Sequence, residues 1–213
     1  MTKKAIVQEQ EKGIEIPVIE IEEFYIKLVG DSPLIVHAWN EKAKKMILDK
    51  QMKKAIKGRE AKDPFIDFCD SLYWLSERPD NPTMEDVQKA KFGFPAIAFK
   101  AAAVDGGYQQ GVLPVKTTAR GAFHIDDEFV EIQGTPEMRE DMVRVGMGAA
   151  DIRYRGEFKK WSVLLHIRYN KNAMSMEQTI NLFNIAGFSN GVGEWRPSKG
   201  GSYGTFHVAR DGE

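Results

Sequence analysis

The residues with the clearest chemical potential lie near the end of the chain, in the glycine-rich stretch GFSNGVGEWRPSKGGSYGTFHV from Gly187 to Val208. Glycines adopt positive φ angles and let another molecule approach the backbone, and exposed N–H groups in such a loop can hold an anion. Two cations and two aromatic rings among the glycines would contact phosphate and stack on a base. The candidate site residues here are Gly191, Gly193, Trp195, Arg196, Lys199, Gly200, Gly201 and Tyr203. The alternative interpretation is a long surface loop that is only anchored by a buried Trp195.

Further cations that would extend a positive track from this stretch occur at three earlier positions. Lys100 lies in an alanine-rich segment, and Lys116 and Arg120 lie in the segment VKTTARG, which is expected to be a short strand or loop. The segment 42–59 is also basic on one predicted helix face, although such a face more often only contacts solvent. The sequence therefore predicts a site for phosphate or nucleic acid that includes Lys100, Lys116 and Arg120.

The sequence has no motif for a metal, a cofactor or a nucleophilic catalyst. The four histidines are not spaced as metal ligands, and Cys69 is the single cysteine. The phosphate-loop pattern GxxxxGKS/T is absent, and the segment 191–196 begins like GxGxxG but ends in arginine and follows a helix. We therefore expect no cofactor and no metal. His37 and His124 lie near predicted strand or loop ends, where a role as acid or base is geometrically conceivable.

Composition and charge indicate a globular protein without a strong overall field. Of 213 residues, 42% are hydrophobic and 29% are charged, and the formal net charge is −1. This balance argues against a strong non-specific nucleic-acid binder, but it is compatible with a local basic stripe. The single cysteine fits a reducing compartment, and neither a membrane-spanning run nor a signal-peptide core is present. A cytoplasmic location is expected, with residues 1–15 as a flexible N-terminal arm.

The elements that must position these residues follow from hydrophobic periodicity. The pattern predicts strands within 16–36 and over 129–134 and 205–210, a hairpin over 151–170, and a turn with a short helix or loop over 135–148. Helices are predicted over 40–62, from Pro64 to Leu75, from Pro95 to a stop at Gly106-Gly107, and after a cap at Ser175. With a helical insertion at about 40–92 set aside, the order is β-α-β-β-α-β. The sequence therefore predicts an α+β fold with a ferredoxin-like (RRM-like) core in a single domain over 16–213.

Two motifs, placed in this order of elements, resemble those of the RAMP superfamily of CRISPR-associated proteins. The segment FPAIAFKAA over 94–102 stands where the family has its first helix motif, and Gly191 to Phe206 stands where it has a glycine-rich loop. The family's serine-glycine pair is replaced here by Ala96 to Phe99. The resemblance implies binding of RNA or other single strands by the loop and by positive residues beside the sheet. It points to backbone-type subunits, which polymerise along a guide RNA, and to stand-alone relatives encoded by phages.

Four functions are compatible with these observations. The leading hypothesis is non-enzymatic binding of single-stranded RNA or DNA by the glycine-rich stretch and the positive track, in an oligomer or filament. The second is binding of a small nucleotide or cyclic nucleotide, which needs few cations. The third is a metal-independent RNase that uses His37 or His124, and the fourth is a purely structural subunit. The predicted partners are thus a single strand or a nucleotide and further copies of the chain, but no membrane.

Overall fold

The secondary structure is seen in a computed structural model, which describes residues 16–39, 41–53, 62–145, 148–210 and 212. Its strands are β1 (Ile21–Gly30), β2 (Leu34–Val36), β3 (Tyr73–Trp74), β4 (Phe92–Pro95), β5 (Phe123–Ile125), β6 (Phe129–Gln133), β7 (Pro136–Val145), β8 (Ala149–Phe158), β9 (Ser162–Asn170) and β10 (Phe206–Val208). Its helices are α1 (Glu41–Gln51), α2 (Pro64–Ser71), α3 (Met84–Lys89), α4 (Ala96–Gln109), α5 (Lys116–Ala122) and α6 (Met176–Ser189). The predicted N-terminal arm lies outside the described residues. No helix in the described part of the chain has the length and apolarity needed to cross a membrane.

The main sheet has the strand order β10-β1-β9-β6-β4-β3, and β5 also pairs with β9. Strand β1 is antiparallel to both β9 and β10, and β9 is antiparallel to both β5 and β6. Along the chain, α4 lies between β1 and β5, and α6 connects β9 to β10. This is the split β-α-β arrangement. The α+β, ferredoxin-like core predicted from the sequence is therefore confirmed.

Buried and more exposed side chains alternate along β9, so one face of this sheet is buried. Val163, Leu165 and Ile167 are buried in the core, whereas the residues between them point to the other face. Phe99 of α4 and Phe183 of α6 belong to the same core cluster and are fully buried. Apolar residues repeat every two residues in the strand and about every 3.6 residues in the helices. The apolar faces that result pack against each other in a single layer.

Helix α4 continues through its two glycines to Gln109, so the predicted stop at Gly106-Gly107 is wrong. A Cβ atom at Gly106 would lie 3.2 Å from the Cα atom of Ala186, and one at Gly107 would lie 2.6 Å from a methyl group of Leu182. The glycines thus let α6 approach α4 closely, and this contact replaces the helix-ending role that glycine often has.

The hairpin predicted over 151–170 is also wrong, because β8 and β9 lie in different sheets. Strand β8 pairs with β2 and β7 in a three-stranded sheet, and the segment 135–148 supplies β7 instead of a short helix or loop. The strands β7 and β8 pair along their full length, from Pro136 to Val145. One face of this ribbon carries the charged residues Arg139, Asp141, Arg155 and Glu157. Charges at these positions remove the apolar alternation from which strands are predicted.

Two shorter segments also differ from the expected structure. Helix α2 ends at Ser71 rather than at Leu75, because the chain extends there into β3 and pairs with β4. The segment around Lys116 and Arg120, expected to be a short strand or loop, is helix α5. The first difference places Tyr73 and Trp74 at the edge of the main sheet.

The N-terminus of α6 is closed by a capping box. The Oγ atom of Ser175 accepts a hydrogen bond from the Gln178 N–H at 3.2 Å, and the Gln178 side chain accepts one from the Ser175 N–H at 2.9 Å. We expect Ser175→Ala to lower the free energy of unfolding by about 1 kcal/mol, since one helix N–H loses its acceptor. Urea denaturation measures this effect, with Ser202→Ala at an exposed loop serine as the control. Equal values for the two variants would contradict a stabilising cap.

Candidate nucleic-acid interface

The glycine-rich loop, defined as residues 190–205, connects α6 to β10 and is closed by its own backbone. The Val192 N–H donates to the Gly204 oxygen at 2.9 Å. A Cβ atom at Gly204 would lie 1.8 Å from the Val192 oxygen, and one at Gly201 would lie 1.8 Å from the Trp195 oxygen. At these two positions glycine is therefore required because two limbs of the loop touch through their backbones.

The loop is also fixed to the segment that contains β2. The Gly204 N–H donates to the Pro33 oxygen at 2.8 Å, and the Glu194 N–H donates to the Ile35 oxygen at 2.9 Å. Ile35 is fully buried, so these bonds join the loop to the core. A loop held at several points presents its side chains in a defined arrangement, which lowers the ordering cost of binding a ligand.

Most glycine N–H groups of the loop are not available to an anion, because they donate to oxygens of the protein. This holds for Gly191, Gly200, Gly201 and Gly204. Within the described part of the chain, the N–H groups of Gly193, Trp195 and Arg196 have no such partner. The Ser202 N–H also lacks such a partner among the described residues. Backbone contact with a bound anion is therefore restricted to these four N–H groups, and the remaining contacts must come from side chains.

A cleft of about 420 Å³ lies between the loop and α4. Helix α4 contributes the small side chains of Ala98, Ala101 and Ala102, which leave room for a ligand. The loop contributes four of the residues predicted from the sequence, Gly191, Gly193, Arg196 and Lys199. The structure therefore brings half of the predicted loop residues together at one cleft.

Asn190 lines this cleft and was not predicted. The residue is only 4% exposed, and its side-chain Oδ1 atom is buried without a hydrogen-bond partner among the described residues. A buried acceptor left without a donor costs about 1–3 kcal/mol, and a ligand donor recovers part of this cost if the Asn190 side chain turns towards the cleft. The residue carries no signal in the sequence, because an asparagine after a helix is an ordinary helix end.

Arg196 and Lys199 differ in how firmly they are held. The Arg196 guanidinium donates to the Gly193 oxygen at 2.8 Å and to the Ser198 hydroxyl at 3.0 Å, so it both lines the cleft and braces the loop. Lys199 is exposed and has no ion pair with any described residue. One cation is thus fixed in direction, while the other can move to meet a phosphate.

Two carboxylates also line the cleft, and each lies near a further cation. Asp105 pairs with Lys116 at 2.9 Å, and Glu194 lies 3.9 Å from the guanidinium of buried Arg155. Lys116 balances Asp105. Arg155, in contrast, lies closer to Asp141, at 3.1 Å, and offsets the charge of Glu194 only in part. The two loop cations therefore face one partly offset carboxylate. The cleft therefore favours an anion.

His37 and Tyr73 complete the cleft as neutral polar groups. Partial burial lowers the pKa of His37, and the positive charge of Arg155 lowers it further, so the imidazole is neutral at pH 7. Burial raises the pKa of Tyr73, with a smaller contribution from Glu194. The Tyr73 hydroxyl donates to the backbone oxygen of His37 at 3.4 Å. Both side chains can hydrogen-bond a ligand without adding charge.

The two aromatic rings of the loop have different surroundings. Trp195 has a φ of +53° and is 42% exposed, so it is not a buried anchor. The ring of Tyr203 lies 4.7 Å from the Arg139 guanidinium of β7, and its hydroxyl accepts a hydrogen bond from the same side chain at 3.3 Å. Trp195 is therefore accessible for stacking, whereas Tyr203 ties the loop to the β7–β8 ribbon.

The predicted positive track is divided by α4. Lys116 reaches the cleft edge through Asp105, and Arg120 lies one helical turn further along α5 and is exposed. Lys100 points to another side of α4, where its ammonium lies 3.2 Å from His124 and 5.5 Å from the Phe123 ring centre. Burial lowers the pKa of Lys100. The geometry thus links Lys116 to the loop and separates Lys100 from it.

The fold and the site together define an α+β protein with a ferredoxin-like core, in which a glycine-rich loop and the first inner helix enclose a cationic cleft. No family model matches the sequence, and no curated protein matches it. Among solved structures, the crystal structure of Cmr6 from Pyrococcus furiosus is similar, with a TM-score of 0.41 and 9% identity, covering 90% of this chain and 100% of that chain. The relation between the two structures is distant.

Proposed function

We propose that the protein binds single-stranded nucleic acid and holds one nucleotide in the cleft beside the glycine-rich loop. The observation that carries this proposal is the presence, in one cleft, of Arg196, Lys199 and Asn190, whose side-chain oxygen is buried without a partner among the described residues. The cations suit a phosphate, and an asparagine amide suits the donor and acceptor edge of a base. Exposed Trp195 offers a ring for a neighbouring base.

The size of the cleft sets a limit on what it holds. Its volume of about 420 Å³ is that of a site for one small ligand, so a longer strand must extend beyond it. With few cations in the cleft and a net charge of −1 on the chain, binding relies on a small number of phosphate contacts. We therefore expect moderate affinity that falls as salt is added.

A second candidate, a mononucleotide or cyclic nucleotide, is favoured by the same limited volume. The two candidates differ in their dependence on length. A strand binder gains affinity as the strand grows to about 4–16 nucleotides, the usual range of site sizes. A mononucleotide binder gains nothing from added length, and a saturating mononucleotide raises its unfolding temperature.

Fluorescence anisotropy with end-labelled single strands tests the proposal. The titration uses strands of about 12 nucleotides and of two nucleotides, each at about 50 mM and 200 mM salt. We expect the longer strand to bind more tightly and to lose affinity at the higher salt. An absence of binding at low salt would overturn the proposal, and equal affinity for both lengths would support the mononucleotide instead.

A further inference from the structure

We infer that a bound strand leaves the cleft over Tyr73 and continues along a second depression, which we call the aromatic groove. This inference rests on the proposed function, and it adds a binding site on the opposite side of Tyr73 from the loop. The groove has a volume of about 790 Å³. Its functional lining consists of Trp39, Lys44, Tyr73, Trp74, Arg78 and Phe129.

The cleft and the groove are adjacent, because Tyr73 lines both. Its ring centre lies 5.9 Å from that of Phe94, which lines the cleft, and 5.6 Å from that of Phe129, which lines the groove. Beyond the groove, Trp39 and Lys44 also line a third hollow along α1. A path of rings therefore extends from the loop towards α1.

The rings of the groove are accessible and partly held in position. Trp39 is 63% exposed and Phe129 is 37% exposed. The Trp74 indole N–H donates to the Cys69 backbone oxygen at 2.9 Å, and the Arg78 guanidinium lies 6.0 Å from the Trp74 ring centre. Exposed rings beside a fixed ring form a surface on which successive bases can stack with little ordering cost.

The charges of this path are balanced between cations and carboxylates. Lys44 and Arg78 line the groove together with the carboxylates Asp70 and Glu128, and Lys45 follows in the third hollow. Asp70 is paired with Arg78. The groove therefore contributes stacking rings for the bases, while the phosphate contacts come mainly from the adjacent cleft.

A rival route lies on the open face of the main sheet, where Tyr25 stacks on His166 with ring centres 4.4 Å apart. There, however, Glu23 lies 3.2 Å and Asp126 lies 3.5 Å from the His166 ring nitrogens. Carboxylates at these distances repel a phosphate backbone, and no depression connects this face with the glycine-rich loop among the hollows described above. The aromatic groove is therefore the better continuation.

The test measures strand binding by a Trp39→Ala, Phe129→Ala double variant with the 12-nucleotide and two-nucleotide probes. We expect the longer strand to bind at least about 30-fold more weakly, because two stacking surfaces of about 1 kcal/mol or more each are lost, and the two-nucleotide probe to bind as before. Trp39→Phe with native Phe129 retains both rings and should retain most of the affinity. The control is Phe188→Ala, which removes a ring that is 87% exposed and lies outside both depressions.

The outcomes separate the groove from the proposed function. Suppose that the double variant binds the longer strand as tightly as the native protein, while substitution of Arg196 and Lys199 abolishes binding. The proposed site in the groove is then overturned, and the proposed site in the cleft is retained. A loss caused by Tyr25→Ala instead of the double variant would overturn the groove in favour of the open sheet face. If the native protein binds neither probe, both proposals fall.

Discussion

Replacing Arg196 and Lys199 together by alanine is expected to weaken single-strand binding by about 100-fold at low salt. Both side chains line the cleft, and each loses a charge-assisted contact of about 1.5 kcal/mol with phosphate. Because each phosphate contact on a single strand contributes about 0.7 to the slope of log affinity against log salt, the slope should also become about 1.4 less steep. Anisotropy titrations over a series of salt concentrations measure both quantities.

The matched control removes two positive charges from elsewhere on the surface. Lys89 and Lys159 are exposed and are paired with Glu85 and Glu137, and neither lines the cleft or the groove. Lys89→Ala with Lys159→Ala should leave affinity within about 2-fold, because exposed and screened charges contribute little. A similar loss in both double variants would show that only the general field matters, which would contradict a site at the cleft.

Arg196 needs a separate control, since its guanidinium also braces the loop through Gly193 and Ser198. Arg196→Lys retains the charge and loses the fork of donors. If the contact with phosphate dominates, this variant should retain more affinity than Arg196→Ala. If bracing dominates, the two variants should lose affinity equally and show the same decrease in unfolding free energy.

Gly204→Ala is expected to lower the free energy of unfolding by about 3 kcal/mol. A Cβ atom at this position would lie 1.8 Å from the Val192 oxygen, and the residue has a φ of +67°. The loop must open to accept it, which breaks the hydrogen bonds from Val192 to Gly204 and from Gly204 to Pro33. Strand binding should weaken as well, because the loop residues lose their arrangement.

Gly200→Ala is the control for the backbone angle alone. Gly200 has a φ of +80°, but nothing lies within 4 Å of a Cβ atom at this position. This variant should lose only about 1 kcal/mol, the cost of a left-handed conformation in a residue with a side chain. Equal losses in Gly200→Ala and Gly204→Ala would show that close backbone approach at Gly204 has no energetic weight.

Urea denaturation provides these values, and Cys69 offers an independent measure. The thiol is fully buried, and burial raises its pKa to about 11. A thiol reagent should therefore modify Cys69 only when the protein unfolds, since the thiolate is the reactive form. The modification rate of Gly204→Ala under native conditions should exceed that of Gly200→Ala.

Several features of this protein were determined by local sequence and could be predicted from it. The β-α-β-β-α-β order follows from apolar residues repeated at periods of two and 3.6, which record the faces that become buried. The cap at Ser175 follows from a serine followed three residues later by glutamine. Gly191, Gly193, Arg196 and Lys199 could be assigned to one site because they are close together in the chain.

Other features depend on contacts between distant segments, and the sequence carries little trace of them. Strands β7 and β8 pair although one face of their ribbon is charged. Their sequences therefore lack the apolar alternation from which strands are predicted. The continuation of α4 through Gly106 and Gly107 depends on the approach of α6. Helix propensity alone favours the opposite outcome, because glycine commonly ends helices.

The candidate site shows the same division. Local sequence determined which residues carry charge and aromatic rings, and it placed a glycine-rich loop before the last strand. Only the tertiary structure decided that the loop faces α4, that Asn190 and Tyr73 join it, and that Lys100 lies elsewhere. It also decided that Gly201 and Gly204 serve contact between backbones, rather than access for a ligand. The physical reason is that the sequence shows which residues are close along one segment. A cleft, in contrast, is formed by distant segments that come together only when the core packs.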